Sequence, residues 1–210
     1  MVHWTYWGVV LENLVQEVKL KTINGSPTLV SIPIGGYRKI IASPKSVSDK
    51  TITTDPASAS LPSGIEQGAY IILATISKNN GDKGNEVRFI IKSDRVFSIT
   101  IGYDFMYSQA FLVRDLDGSA TDSMAAGLKQ AYDTMCTAPD PTGGSTVKLV
   151  IYVDWNSVEI FVNDGEALLS GLIYPNQEAN GVQVVSDTGS LTLVSFSYAA
   201  CDSINYLRRA

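Results

Sequence analysis

Residues 147–175 read VKLVIYVDWNSVEIFVNDGEALLSGLIYP, three alternating apolar runs separated by two turn signals. A two-residue turn at Trp155-Asn156 pairs Asp154 with Ser157, Val153 with Val158 and Tyr152 with Glu159. A second turn at Asp164-Gly165 pairs Asn163 with Glu166, Phe161 with Leu168 and Glu159 with Ser170. Both registers put Leu149, Ile151, Val153, Val158, Ile160, Val162, Ala167 and Leu169 on one face. A slip of one residue would turn all of them to the other side, so the agreement of two independent turns argues for a three-stranded meander. The opposite face carries Val150, Tyr152, Asp154, Glu159, Phe161, Leu168 and Ser170. Glu159 thus stands on the middle strand between Tyr152 and Ser170.

Period-two alternation continues on either side of the meander. It predicts strands near 16–21, 27–32, 69–78, 86–93, 96–103, 109–114, 181–186 and 190–198. Asn24-Gly25, Asn79-Asn80-Gly81 and Asp117-Gly118 supply turns between them. Met124, Leu128, Tyr132 and Met135 recur at helical spacing and predict one helix over 123–136, weakened by Gly127. Short strands without alternating helices specify an all-β fold, a two-sheet antiparallel β-sandwich of the concanavalin-like or jelly-roll type. A short N-terminal hairpin segment precedes it, too poor in apolar surface to stand alone. Residues 35–66, rich in Ser, Thr and Pro and including DPASASLPSG, read as a connection.

Composition narrows the function classes. The chain has 210 residues, 45% of them hydrophobic, with 16 basic residues against 21 acidic ones for a net charge of −5. It can bury a core, and no Lys/Arg block offers a footprint for nucleic acid. No apolar run approaches the roughly 18 residues of a membrane span, and no signal peptide is visible, so the expectation is a soluble chain whose compartment is left open. His3 is the single histidine, near the N-terminus. Cys136 and Cys201 stand 65 positions apart without a C-x-x-C spacing, so no metal or redox motif and no cofactor is expected. One disulfide, contributing about 4 kcal/mol on the chain-entropy account, and two thiols both remain open. Asp115-Leu116-Asp117-Gly118-Ser119 opens like a calcium loop, but the required Gly and Glu are Ala120 and Ala126, leaving an ordinary polar turn.

A carboxylate in mid-sheet beside aromatic residues needs a partner, because an unpaired buried charge is costly. Two explanations compete. Glu159 is a structural acid held by other polar groups, or Glu159, Asp154, Tyr152 and Trp155 form a ligand site in which acids accept sugar hydroxyls and rings stack on the sugar. Trp4, Tyr6 and Trp7 invite the same stacking role, against packing on the sandwich or on a neighbouring domain.

The run V-D-W-N-S-V-E-I-F-V-N-D-G-E-A (153–167), followed by Tyr174-Pro175, resembles the signature of the C-terminal β-sandwich of glycoside hydrolase family 32, the invertases, levanases, inulinases and fructan exohydrolases. Ala138-Pro139 through Lys148-Leu149, Ile101-Gly102-Tyr103-Asp104 and Leu112-Val113-Arg114 fit the same pattern. Residues 18–34, V-K-L-K-T-I-N-G-S-P-T-L-V-S-I-P-I, with Trp7-Gly8 upstream, resemble the strands that close that family's catalytic domain. Trp155 stands where the family usually has Arg, Asn156 where it has Ser, and Gln16-Glu17 where it has Arg-Glu. Contacts that depend on those arginines are not expected here.

The resemblance implies a division at residue 38: a remnant of the last propeller strands over 1–38 and the sandwich over 39–210. In that family an N-terminal propeller does the chemistry, through acids in W-M-N-D-P-N, R-D-P and E-C. None of these occurs in the 210 residues; Arg114-Asp115 is followed by Leu116, and no Glu precedes a Cys. A retaining glycosidase needs two carboxyl groups roughly 5–5.5 Å apart, and no motif here assigns such a pair. No catalytic residue is therefore expected. The implied function is a non-catalytic accessory module of a β-fructosidase, stabilising the catalytic propeller, contacting fructan or mediating assembly. Expected partners are that propeller or a second copy, and a fructan or sucrose-type sugar. The alternative is a free-standing fructan- or sugar-binding protein.

Overall fold

The computed structural model describes residues 14–34, 43–62, 68–81, 84–93, 97–116, 135–173 and 181–201. Within these residues the chain forms antiparallel sheets throughout. Strands β1 (Gln16–Ile23) and β2 (Ser26–Pro33) make a separate hairpin around Asn24-Gly25. The first layer of the sandwich contains β3 (Lys45–Ile52), β4 (Tyr70–Lys78), β9 (Thr146–Val153), β10 (Ser157–Val162), β11 (Ala167–Leu172) and β13 (Leu191–Ala200). Its strand order is β11-β10-β9-β4-β13-β3. The second layer contains β5 (Glu86–Ser93), β6 (Phe97–Asp104), β7 (Gln109–Leu116), β8 (Met135–Pro139) and β12 (Gly181–Ser186), in the order β12-β5-β6-β7-β8.

The meander forms in the expected register. Val158 pairs with Val153, Glu159 with Tyr152 and Ser170, and Phe161 with Val150 and Leu168. The Asp154 N–H donates to the Ser157 carbonyl at 2.9 Å, closing the two-residue turn. The inward set from Leu149 to Leu169 enters one core with Ile72, Ala74, Ile76, Leu193 and Phe196. Val87, Phe89, Ile91, Ile99, Ile101, Ala110, Leu112 and Val184 meet them from the second layer. On that layer's outer face Phe111 is buried over Gly102, its partner in the ladder. A Cβ on Gly102 would stand 1.9 Å from the Val87 carbonyl oxygen and 2.8 Å from the Phe111 ring, so only glycine fits.

Two strands depart from expectation. β3, KSVSDKTI, is an edge strand with Asp49 at φ 54° and mostly exposed side chains, so it lacks the apolar alternation that would announce it. β8 includes Met135 and Cys136, placed by their spacing at the end of a helix. They pair instead with Val113 and Leu112, because β7 has an unfilled edge there. The rest of that helical stretch lies outside the described residues, as do His3, the Trp4–Trp7 aromatics and Tyr174-Pro175. In the connecting stretch, Asp55 caps a 3₁₀ turn at Pro56–Ala59, its carboxylate accepting from the Ala57 N–H at 2.9 Å. Cys136 and Cys201 are both thiols and form no disulfide.

Candidate functional site

Glu159 is on the outer face of the first layer, and only 3% of it is exposed. The backbone N–H of Leu14 donates to its Oε1 at 2.6 Å, and Gln16 Nε2 donates to its Oε2 at 3.2 Å. Burial raises the carboxyl above the ordinary Glu range, and the two hydrogen bonds pull the other way without cancelling it. Tyr152, the cross-strand neighbour, meets the Phe161 ring edge-to-face with centroids 5.8 Å apart. Glu159 therefore holds the incoming chain at residues 14–16.

The next turn holds the hairpin a second time. The Ser31 N–H donates to the Gly165 carbonyl at 3.0 Å. Gly165 has φ 89°, and a Cβ there would stand 2.1 Å from the Ser31 carbonyl oxygen. Glu166 is bound by the Lys21 ammonium and the Thr142 hydroxyl. Burial pushes the Glu166 carboxyl up, but the hydrogen bonds from Lys21 and Thr142 outweigh it and hold the group below its usual range. Asn24 Nδ2 reaches the Pro141 carbonyl at 2.9 Å.

A buried polar knot lies beside this seam. Tyr103 Oη and Asn163 Nδ2 both donate to Asp140 Oδ2 at 2.8 Å, and the Thr142 N–H donates to Oδ1 at 3.0 Å. Tyr103 belongs to one layer and Asn163 follows β10 in the other, so Asp140 ties the layers together. Burial, then the Asp140 hydrogen bond, pushes the Tyr103 phenol well up. Asp104 is also fully engaged: its Oδ1 accepts from the Met106 and Tyr107 N–H groups at 2.7 and 3.1 Å.

Asp154 and Trp155 occupy the turn that joins the strands of Tyr152 and Glu159. Asp154 is exposed and its Oδ1 accepts from the Trp155 N–H at 2.8 Å, while Trp155 is 55% exposed. Its indole centroid is 5.4 Å from the ammonium of Lys92, a residue that no pattern in the sequence singles out. Strict alternation along RFIIKS points Lys92 away from the core, and only a bulge turns it in. The structure thus brings Glu159 and Tyr152 together under residues 14–16 and puts Asp154 and Trp155 beside Lys92. Among the described residues no group of three or more His, Cys, Asp or Glu is placed to hold a metal ion, and no helix is long and apolar enough to cross a membrane.

The family model described as "Glycosyl hydrolases family 32 C terminal" matches residues 38–200. The chain belongs to that family. Its curated relatives include the levanase of Bacillus subtilis (strain 168), 27% identical over 185 residues that make up 88% of this chain and 26% of the relative. The extracellular exo-inulinase of Aspergillus awamori is 28% identical over 177 residues, 83% of this chain and 31% of the relative. The chain spans about a quarter to a third of the length of these relatives. Among solved structures, the exo-inulinase of Aspergillus awamori superposes with a TM-score of 0.67 at 22% identity, covering 89% of this chain and 35% of that one. The fructofuranosidase of Schwanniomyces occidentalis complexed with fructose gives 0.68 at 18% identity, covering 90% and 40%. At those identities the likeness establishes the shared sandwich. The family 32 signature quoted from the sequence coincides with the seam between hairpin and sandwich.

Proposed function

We propose that this family 32 sandwich is a non-catalytic accessory module of a β-fructosidase, which presents a docked hairpin to a catalytic domain and stabilises it. The observation that carries this is the hairpin. Glu159, Gly165 and Glu166 fasten one side of it to the sandwich, while Leu20 and Leu29, directly paired across β1 and β2, are 71% and 69% exposed. Val18, two positions before Leu20 on the same face of β1, extends the patch. A two-stranded sheet with an outward apolar pair calls for a further layer or strand. In this proposal residues 1–38 belong structurally to the catalytic domain's last strands and 39–210 form the module. The fructan-cleaving acids would reside in that other domain. The test is direct: the 210-residue chain should release no fructose from sucrose, inulin or levan. Release above a buffer blank that one carboxylate substitution abolishes would overturn the proposal.

A second reading, sugar binding by the module itself, draws support from the exposure of Trp155 beside Asp154. In it Trp155 stacks on a fructosyl ring and Asp154 accepts its hydroxyls, while Glu159, beside Tyr152, stays engaged with residues 14 and 16. Calorimetric titration with levan, inulin and sucrose, repeated on Trp155→Ala, separates the two. Saturable heat with the native chain that vanishes in the variant favours this second reading.

A further inference from the structure

At the end of the sandwich where β4 begins and β5 finishes, a cation is buried with a single hydrogen-bond acceptor among the described residues. The register of β5 slips beside β12: Gly181 pairs with Ser93 and Val182 with Ile91, leaving Lys92 as the bulged residue at φ 46°. Ile91 and Lys92 are consecutive, yet both are buried, Lys92 with 3% of its surface exposed. A regular strand cannot bury two successive side chains on one face. The bulge turns Lys92 inward. Its Nζ donates to the Gly68 carbonyl at 2.7 Å and lies 5.5 Å from the Tyr70 ring centroid and 5.4 Å from that of Trp155.

An ammonium has three N–H donors, and among the described residues only the carbonyl of Gly68 accepts from this one. Two aromatic faces stabilise the charge without satisfying the remaining donors in the manner of a hydrogen bond. The phenol of Tyr70 repeats the pattern: Tyr70 is 2% exposed and its hydroxyl has no hydrogen-bond partner among the described residues. Burial pushes this phenol far up, with Tyr198 adding to the effect, so it stays an O–H donor at any working pH. Buried donors that lack acceptors are rare in folded proteins and call for an explanation. The ammonium lies over the ring that carries the second donor, and the species complementary to both is an acceptor with several oxygens.

We propose that Lys92 and Tyr70 form a binding site for a small oxyanion, a phosphate or a carboxylate, with Trp155 as its removable cover. The cover follows from the turn. Trp155 belongs to a two-residue loop, more than half of it faces solvent, and its recorded hydrogen bond is made by the backbone N–H. Rotation of the indole exposes the ammonium while leaving the ladder intact. Asp154, on the same turn, favours the charged form of Lys92, against the burial that disfavours it. It is the native competitor of the anion, and its own oxygen is tied to the Trp155 N–H.

The full 210-residue chain is titrated calorimetrically, and melted in parallel, with sodium phosphate, sodium acetate and fructose, against sodium chloride at matched ionic strength. Saturable binding of phosphate, acetate or both is expected; the arm that binds names the source of the oxyanion. Lys92→Met keeps the apolar stem and should weaken binding about tenfold or more, as loss of a charge-assisted bond does. Tyr70→Phe, which removes one oxygen and leaves the fold intact, should weaken it about threefold. Asp154→Asn should tighten it by about the same factor, since it removes the competing charge. Should Lys92→Met fail to fold, the paired opposite shifts of Tyr70→Phe and Asp154→Asn decide the matter. The proposal is overturned if no anion does more than chloride, if those two variants leave anion affinity unchanged, or if fructose alone binds through the same residues.

Discussion

Replacing Glu159 by Ala tests whether this carboxylate is the fastener of the hairpin. The change removes the acceptor of the Leu14 N–H and of Gln16 Nε2 together. A partly buried backbone donor left unsatisfied costs about 1–3 kcal/mol, and the lost methylene adds about 0.8 kcal/mol. Relief of a poorly solvated charge offsets part of this, leaving a net loss of about 2 kcal/mol. For a chain of this size that lowers Tm by roughly 4–8 °C. Glu159→Gln behaves differently. Its amide oxygen still accepts from Leu14, and Gln16 can turn its own oxygen toward the new amide, so the cost should stay within about 1 kcal/mol.

The pH dependence supplies the second arm. The folded carboxyl lies above its unfolded value, so rising pH ionises the unfolded state first. The contribution of Glu159 is therefore greatest at acid pH and falls as pH climbs through the raised folded value, a slope that Glu159→Gln should erase. Thermal melts from pH 4 to pH 8 are combined with hydrogen exchange of residues 16–33, because a two-stranded hairpin can detach locally before the sandwich melts. An alanine variant with unchanged Tm and unchanged hairpin protection would refute the reasoning.

Two further perturbations bear on the same seam. Gly165→Ala forces a side chain against the Ser31 carbonyl in a left-handed backbone position, and should destabilise by about 2–4 kcal/mol, read as faster proteolysis within residues 16–33. Glu166 has the opposite titration sense to Glu159: its carboxyl is held low, so its contribution is present at neutral pH and disappears as acid carries the pH down through the depressed folded value. Glu166→Gln should therefore weaken hairpin protection at pH 7 and make a steadily smaller difference as the pH is lowered below the ordinary Glu range, as hydrogen exchange across an acid series will report.

The meander was legible from residues 147–170 because two short turns and eight apolar side chains specify one register twice over. Glu159 was legible as a position, mid-sheet between Tyr152 and Ser170. Its partners were not, because Leu14 and Gln16 lie more than 140 residues away and one of them contributes only a backbone N–H. β3 escaped because an edge strand, turned through a positive φ at Asp49, carries Ser, Lys and Thr where a central strand carries Val and Ile. Lys92 was hidden by the opposite error: alternation assigns it to solvent, and nothing in the sequence reports that the ladder slips by one residue there. Sequence patterns convey periodic order well, and both failures fall on strands where one residue adopts a positive φ, Asp49 in β3 and Lys92 in β5.

The signature by which the family is recognised gains a physical meaning once each of its residues is traced to a contact. Val158, Ile160 and Val162 enter the core, so they serve the sandwich. Glu159, between the first two, points the other way and takes hold of residues 14 and 16. Asn163 accepts from the Lys148 N–H at 3.0 Å and donates to Asp140, fixing the start of the turn. Asn163, Asp164 and Gly165 then run through three successive positive φ values, 46°, 61° and 89°, which bring the Gly165 carbonyl to the Ser31 N–H. Glu166 closes on Lys21. Glu159, Asn163 and Glu166 are thus spent on joining the hairpin to the sandwich or on shaping the turn that does so, while Asp164 makes an exposed ion pair with Lys148 at 3.6 Å. Of the departures from the pattern the chain resembles, Trp155 and Asn156 fall in the exposed loop of the motif, whereas Gln16, in place of Arg, falls in the joint itself and still donates to Glu159. The joint thus accepts a change that keeps a donor, while the exposed loop beside it sets its indole 5.4 Å from the Lys92 ammonium.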